Sequence, residues 1–306
     1  MSAAIRTPAP FVVGLTRSGT TLLRMMLDAH PELAVPPETH FVPALIKAAS
    51  DDAVDGEALL AACTSHRTWG DFAISEQALG ERFAALDPGK PGVGGAAVRA
   101  FFELYAAAQG KRRWGDKTPA YMLSIARIGR ALPEARFVHL IRDGRDVALS
   151  QTERALNQQP GRREQAERWV KRIGKAREQA ARLGGDRYRE VRYEDLVRDP
   201  EPTLRGICEL IALDYDPAMV AYHERAAARL VEMAGGLAAA GSQTEQPAGY
   251  RIENHAPTTR PLDPAKLEKW RREMSAAELD AYRAVAGDLL REFGYPLDSE
   301  PAEVAR

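Results

Sequence analysis

The sequence predicts an α/β fold of three layers, with a parallel sheet flanked by helices and extra helical insertions. Three observations carry this reading. The apolar run FVVGL, Phe11 to Leu15, contains a glycine near its end and is followed by a helix-forming stretch. The run RFVHLIR, Arg136 to Arg142, repeats the order strand, glycine-containing turn, helix. A third segment, YREVRYEDL, offers a short strand with more polar neighbours. Strands that alternate with long helices lie parallel and carry helices on both faces.

The first helix should present Leu22, Leu23, Met26 and Leu27 along one side and stop before Pro31. The helix after the second strand should start near Asp143. Between these units the chain reads as mostly helical. VRAFFELYAAA places Val98, Phe101, Phe102 and Tyr105 at helical spacing, a core-facing stripe. Residues 162–183 form a further helix, with Trp169, Ile173, Ala176 and Ala180 inward and a solvated basic face outward. Residues 234–262 are rich in Gly, Ala, Ser, Thr and Pro without periodicity, which reads as a long loop, a lid or a disordered segment. An amphipathic helix from about Ala276 to Phe293 follows. With no internal repeat and no clean boundary, residues 1–306 read as a single domain.

Composition narrows the function classes. A net charge of −1 with 28% charged residues gives no overall basic field for nucleic acid. Cys63 and Cys208 stand far apart, which argues against a disulfide scaffold or a zinc site. The start lacks the apolar run of a signal peptide, and no segment reaches the roughly 18 apolar residues of a membrane span. A soluble, cytoplasmic protein is expected, with its oligomeric state, a homodimer included, left open. Arginine outnumbers lysine 34 to 8, so a lysine inside a motif stands out.

The chemistry concentrates in two motifs. In GLTRSGTTLLRMML, Gly14 and Gly19 keep the spacing of a nucleotide phosphate loop, but Thr20 stands where that loop has its lysine. A strand, a glycine turn and a helix N-terminus still aim several backbone N–H groups at one point, which suits an anion. Arg17 adds a cationic fork; Ser18 and Gly19 shape the turn; Thr20 and Thr21 add hydroxyl donors. The plain alternative is a tight turn with a helix cap. In IRDGRDVALS, Arg142 ends a strand and Ser150 lies about two turns into the next helix, so a guanidinium and a hydroxyl can grip one terminal phosphate. Arg145 with Asp146 reads as a local ion pair. Two anion sites at two strand ends point to one ligand with phosphates at both ends.

GLTRSGTTLLRMMLDAHP together with FVHLIRDGRDVALS resembles the sulfotransferases that use 3′-phosphoadenosine 5′-phosphosulfate (PAPS). The first stretch is similar to their 5′-phosphosulfate loop, the second to their 3′-phosphate motif. The resemblance implies a P-loop-kinase-like parallel sheet, PAPS as sulfuryl donor, no metal, and transfer to a hydroxyl or amine acceptor. It places the 3′-phosphate on Arg142 and Ser150, and VRYEDL adds Tyr193 to the nucleotide contacts. Gly294 and Tyr295, after a helix, also fit the pattern. Within the family, RSGTTLLRMMLDAHPELAVPPET is most similar to the tyrosylprotein branch and its bacterial cousins, which implies Glu38 as base. WGDKTP similarly implies Lys117 at the active site, with Asp116 orienting it. Arg251 and Arg260 fall where family members supply further phosphate contacts.

Sulfuryl transfer needs charge neutralisation but no metal in principle, since the terminal sulfate carries a single charge. Arg17 and Lys117 are the candidates for that clamp. The acceptor must lose a proton, to Glu38 or to the rival base His40; a capping or salt-bridge role is the plain alternative for Glu38. His30 and Glu32 read as structural and surface residues. The acceptor class stays open among small molecules, glycans, lipids and peptides. An ATP-dependent kinase with an altered loop and a non-catalytic nucleotide-binding protein are the alternative functions.

Overall fold

The structure, a computed structural model, describes residues 6–49, 55–88, 90–153, 160–239 and 256–297. Strand β1 (Ala9–Gly14) leads into helix α1 (Thr20–Ala29) and the short strand β2 (Leu33–Ala34). Helices α2 (Val42–Ala48), α3 (Gly56–Thr64), α4 (Glu76–Ala84) and α5 (Val93–Ala108) form the helical insertion. Strands β3 (Arg113–Trp114) and β4 (Asp116–Lys117), helix α6 (Ile125–Ala131), strand β5 (Ala135–Ile141) and helices α7 (Gly144–Glu153) and α8 (Arg162–Ala180) follow. Strand β6 (Tyr188–Arg192) runs straight into α9 (Tyr193–Arg198), then α10 (Pro200–Leu210), α11 (His223–Ala239) and α12 (Ala276–Glu292).

The main sheet has the order β4-β1-β5-β6 with all pairings parallel. β1 and β5 are in register from Ala9 opposite Ala135 to Gly14 opposite Leu140. Buried on both faces, these strands carry continuous apolar runs, as parallel strands do. β2 and β3 make a separate two-stranded parallel ribbon. One face of the sheet is covered by the helical insertion, through Phe11, Phe41, Phe72, Phe101, Phe102 and Tyr105. The other face is covered by α1, α9, α10 and α11. A third cluster joins α7, α8 and α12 through Trp169, Trp270 and Tyr282. Among the described residues no helix is long and apolar enough to cross a membrane.

The predicted strands and helices are present within a residue or two. Two expectations need correction. α1 is buried along its whole length, not on one side, because it is packed between the sheet and α11 and its polar members find partners. Arg24 donates to Val35 O at 2.9 Å and Asp28 accepts from Val35 N at 2.8 Å. The segment 234–262 is not one loop: α11 continues through Ala239, and Ala256–Thr259 forms a 3₁₀ turn, while 240–255 lie outside the described residues. Alanine and glycine at helix-compatible positions hid that helical extension, since they carry little apolar periodicity.

Phe101 is fully buried, with ring centroids 4.9 Å from Phe41, 5.1 Å from Phe72 and 5.1 Å from Phe102. Phe101→Ala should therefore cost about 3–5 kcal/mol, measured as a lower denaturant midpoint at unchanged slope.

Candidate active site

The parallel order puts four strand C-termini in a row, and each delivers a predicted residue. After β1 the chain turns through Leu15 to Gly19, closed by Ser18 N donating to Leu15 O at 3.2 Å. Gly19 caps α1 in the left-handed region at φ 88°, and a Cβ there would sit 2.3 Å from the Tyr193 ring. Glycine is therefore required at this position. Arg17 also adopts a left-handed backbone, at φ 75°, which is unusual for a non-glycine residue and clusters at functional sites. Ser18 Oγ is buried with no hydrogen-bond partner among the described residues.

β5 ends next to this turn. Arg142 donates through Nη1 to Arg17 O at 3.3 Å and through Nη2 to Asp146 at 3.2 Å, and lies 4.9 Å from the Tyr193 ring centroid. Arg17 Nε donates to Ser150 Oγ at 3.1 Å. Arg17, Arg142, Ser150 and Tyr193 thus meet in one cluster, as the sequence motifs imply. The expected Arg145–Asp146 pair is not formed. Arg145 turns inward to Asp143 at 2.7 Å and stacks over Trp270 at 3.4 Å, leaving Asp146 to Arg142. The i,i+4 spacing brings Arg142 and Asp146 onto one helical face, which adjacent residues cannot share.

These groups line a cavity of about 480 Å³ together with Thr16, Gly19, Thr20, Thr21 and Glu38. Its far wall is Tyr222, Pro257, Thr258, Pro261 and Leu262, with Lys266 and Lys269 at the rim. Sequence reasoning missed this wall, which comes from an aperiodic segment; the scarcity of lysine was the one signal pointing to Lys266 and Lys269. Arg260 is exposed and is not among the residues lining the cavity; its carbonyl accepts from Tyr222 Oη at 2.7 Å. Arg251 lies outside the described residues.

On the other side of the β1 turn, β4 supplies Lys117, which is 1% exposed. Its Nζ donates to Glu38 Oε1 at 2.6 Å and to Thr21 Oγ1 at 3.3 Å. Lys117 and Arg17 therefore flank the turn from opposite sides. Glu38 Oε2 meets His40 Nε2 at 2.9 Å, so the two rival bases are partners. Burial alone would raise the Glu38 pKa. The Lys117 charge, with hydrogen bonds from His40 and Lys117, overrides it and holds the carboxyl well below its usual range. Burial lowers the Lys117 pKa, opposed by Glu38.

Asp116 does not orient Lys117 through a hydrogen bond of its own. It accepts from Thr39 Oγ1 at 2.8 Å and Thr118 Oγ1 at 3.2 Å, and Thr39 Oγ1 also meets Tyr121 Oη at 2.8 Å. This buried network fixes the residue between Glu38 and His40. Asp116 Oδ2 has no partner among the described residues, and burial pushes the carboxyl up to about 7. His30 and Glu32 are structural. His30 spans Glu32 N and Asp214 O, while Glu32 pairs with Arg112.

A family profile described as "Sulfotransferase family" matches residues 8–217, which include both strand-end motifs, Glu38 and Lys117. The chain belongs to the sulfotransferase family. It is similar to protein-tyrosine sulfotransferase 1 of Danio rerio, 25% identical over 98% of this chain and 75% of that protein. It is also similar to protein-tyrosine sulfotransferase 2 of Gallus gallus, 26% identical over 71% of this chain but only 54% of that protein. The chain thus matches about half the length of the chicken relative. In fold it is similar to the sulfotransferase domain of the Synechococcus PCC 7002 olefin synthase, at TM-score 0.57 and 24% identity, covering 97% of this chain and 99% of that one. The sulfotransferase domain from the curacin biosynthetic pathway gives TM-score 0.59 at 21% identity, over 96% and 100%. This sulfotransferase therefore has the family's α/β fold.

Since burial favours neutral Asp116, its ionisation penalty is absent below pH 3.8 and grows until about pH 7. The rise from 3.8 to about 7 sets a ceiling of ~4 kcal/mol. Asp116→Asn should remove this dependence. The stability of the variant relative to wild type should increase from pH 4 to 7 and level off above, as read by chemical denaturation across pH.

Proposed function

We propose that this sulfotransferase moves a sulfuryl group from PAPS to a hydroxyl acceptor by in-line displacement. The observation that carries the reading is the arrangement of one cavity between two anion-binding strand ends, with a Glu38–Lys117 pair at one end of the β1 turn. The residues fit such a donor. Ser18 Oγ and Arg142 Nε are buried without partners among the described residues, and the left-handed Gly19 leaves the turn open to a phosphate.

Arg142, Ser150 and Arg17 would hold the terminal 3′-phosphate, stiffened by Asp146 and by the Tyr193 ring. The backbone and hydroxyls of Ser18 to Thr21 would hold the 5′-phosphate end at the α1 N-terminus. PAPS supplies the reacting sulfur, whose bond to the phosphate oxygen is broken. Lys117, buried beside Thr21, neutralises charge that develops on the sulfuryl oxygens and the leaving phosphate. Glu38 and His40 form the basic end that takes the acceptor's proton. As Lys117 shares its charge with the sulfuryl group, its grip on Glu38 loosens and the carboxylate becomes a better hydrogen-bond acceptor. The names of the curated relatives favour a tyrosyl hydroxyl as the first acceptor to test.

Calorimetric titration should show adenosine 3′,5′-bisphosphate binding in the absence of Mg²⁺. Arg142→Ala should weaken it by about 10- to 100-fold, as expected for a lost charge-assisted pair, and Arg142→Lys should recover only part of the loss. Glu38→Gln should leave this binding within about twofold while reducing turnover of labelled PAPS with a tyrosine-containing peptide by about 10²- to 10⁴-fold. Binding of ATP that requires Mg²⁺, with no affinity for the bisphosphate, would overturn the reading.

A further inference from the structure

We propose that the acceptor's proton comes to rest on His40, with Glu38 serving to orient and charge-stabilise that imidazole. The proposal rests on the transfer reading above and deepens it. Both oxygens of Glu38 are engaged, Oε1 by Lys117 Nζ at 2.6 Å and Oε2 by His40 Nε2 at 2.9 Å. An ionised carboxylate only accepts hydrogen bonds, so the ring nitrogen facing it carries the proton. That fixes the neutral His40 in the tautomer whose Nδ1 bears the lone pair. A carboxylate paired with Lys117 and His40 is a feeble proton acceptor, whereas imidazole is the side chain built to exchange a proton near neutral pH.

The surroundings hold His40 in this role. Its backbone is left-handed at φ 55°, a conformation that bulky residues keep only under constraint. The constraint is visible at Thr39. Its hydroxyl bonds Asp116 and Tyr121, its N–H donates to Thr118 Oγ1 at 3.1 Å, and its carbonyl accepts from Phe41 N at 2.6 Å. The His66 ring stacks on His40 at 5.6 Å, nearly parallel at 22°. Burial, with His40 and Arg67 nearby, lowers the His66 pKa, so His66 supports the neighbouring ring without adding charge. The titratable groups around His40 are thus Glu38 on its own loop, Asp116 and Lys117 from β4, and His66 with Arg67. The His40 side chain is 28% exposed against 1% for Lys117, so the route from this pair to water runs through His40.

The step balances. The acceptor oxygen forms its bond to sulfur as the bond from sulfur to the bridging oxygen breaks. That electron pair stays on the phosphate of adenosine 3′,5′-bisphosphate. The hydroxyl proton moves to His40 Nδ1, the imidazolium is stabilised by Glu38, and the proton is then released to water.

Two variants separate this role from a purely structural one. Asn tolerates the left-handed backbone and can donate to Glu38 but cannot carry a proton. His40→Asn should therefore keep the fold and the bisphosphate affinity while kcat for bisphosphate release from PAPS, with a tyrosine-containing peptide or with water as acceptor, falls about 10²- to 10⁴-fold. Its KM for PAPS should stay within about twofold, and the acidic limb of the pH–rate profile should disappear. His40→Ala should lose as much and regain at least about tenfold with imidazole in the medium. Independently of turnover, long-range ¹H–¹⁵N spectra of the wild-type protein should show the His40 proton on Nε2. A His40→Asn variant that turns over at the wild-type rate, or a ring protonated on Nδ1, overturns the proposal. Absence of bisphosphate binding by the wild type would instead sink the functional reading beneath it.

Discussion

The parallel pairing of β1 with β5 is the constraint on which the site depends. Their register brings Gly14 opposite Leu140, so the turn after β1 and the residue after β5 emerge side by side. A Cβ on Gly14 would lie 2.6 Å from Leu140 O, so this closeness depends on the side chain being absent. With β4 beyond β1 and β6 beyond β5, the sheet edge reads Lys117, the Leu15–Gly19 turn, Arg142, Tyr193 in spatial order. None of these residues is near all the others in sequence. The chain leaves β1 toward β4 on one side and returns to β5 on the other, and such a switch point opens the crevice where α/β sheets bind ligands.

Much of this was legible in the sequence because parallel strands buried on both faces leave unbroken apolar runs, and because glycine spacing marks the turns that follow them. The pairing of the two anion motifs was legible for the same reason: each sits one step past such a run. β4 was not legible as a strand, since two residues, Asp116 and Lys117, carry no periodicity; their place comes from pairing with Phe11 and Val12. The Arg145–Asp146 expectation failed because adjacency in sequence is not adjacency on a helix. The partnership of Glu38 with His40 was equally hidden. In an extended segment residues two apart share a side, but only the left-handed turn at His40 directs its ring onto the carboxylate.

Two left-handed non-glycine residues, Arg17 and His40, lie in the two loops that deliver chemistry to this cavity. Each is a cost that the surrounding structure must outweigh. For Arg17 the counterweight is Arg142 bonding its carbonyl and Ser150 receiving its guanidinium. For His40 it is the Thr39 network, in which a fully buried aspartate is kept with one oxygen unpartnered. That choice is hard to explain by stability, since an apolar residue of similar volume would avoid the desolvation. It is explained if the loop must be held in one geometry.

The same reasoning applies to the Glu38–Lys117 pair. Desolvating a lysine this completely is expensive, and a buried ion pair returns little or nothing over an apolar substitute. Its placement makes sense as poise. Lys117 is held dry, where its charge acts at full strength, and Glu38 keeps it from being an uncompensated cation beside Thr21. Glu38 therefore faces in two directions, balancing Lys117 on one oxygen and His40 on the other. A carboxylate so placed can lose part of one partner to an incoming anion and strengthen its hold on the second. This would couple charge neutralisation at the donor end to basicity at the acceptor end without any group having to move far.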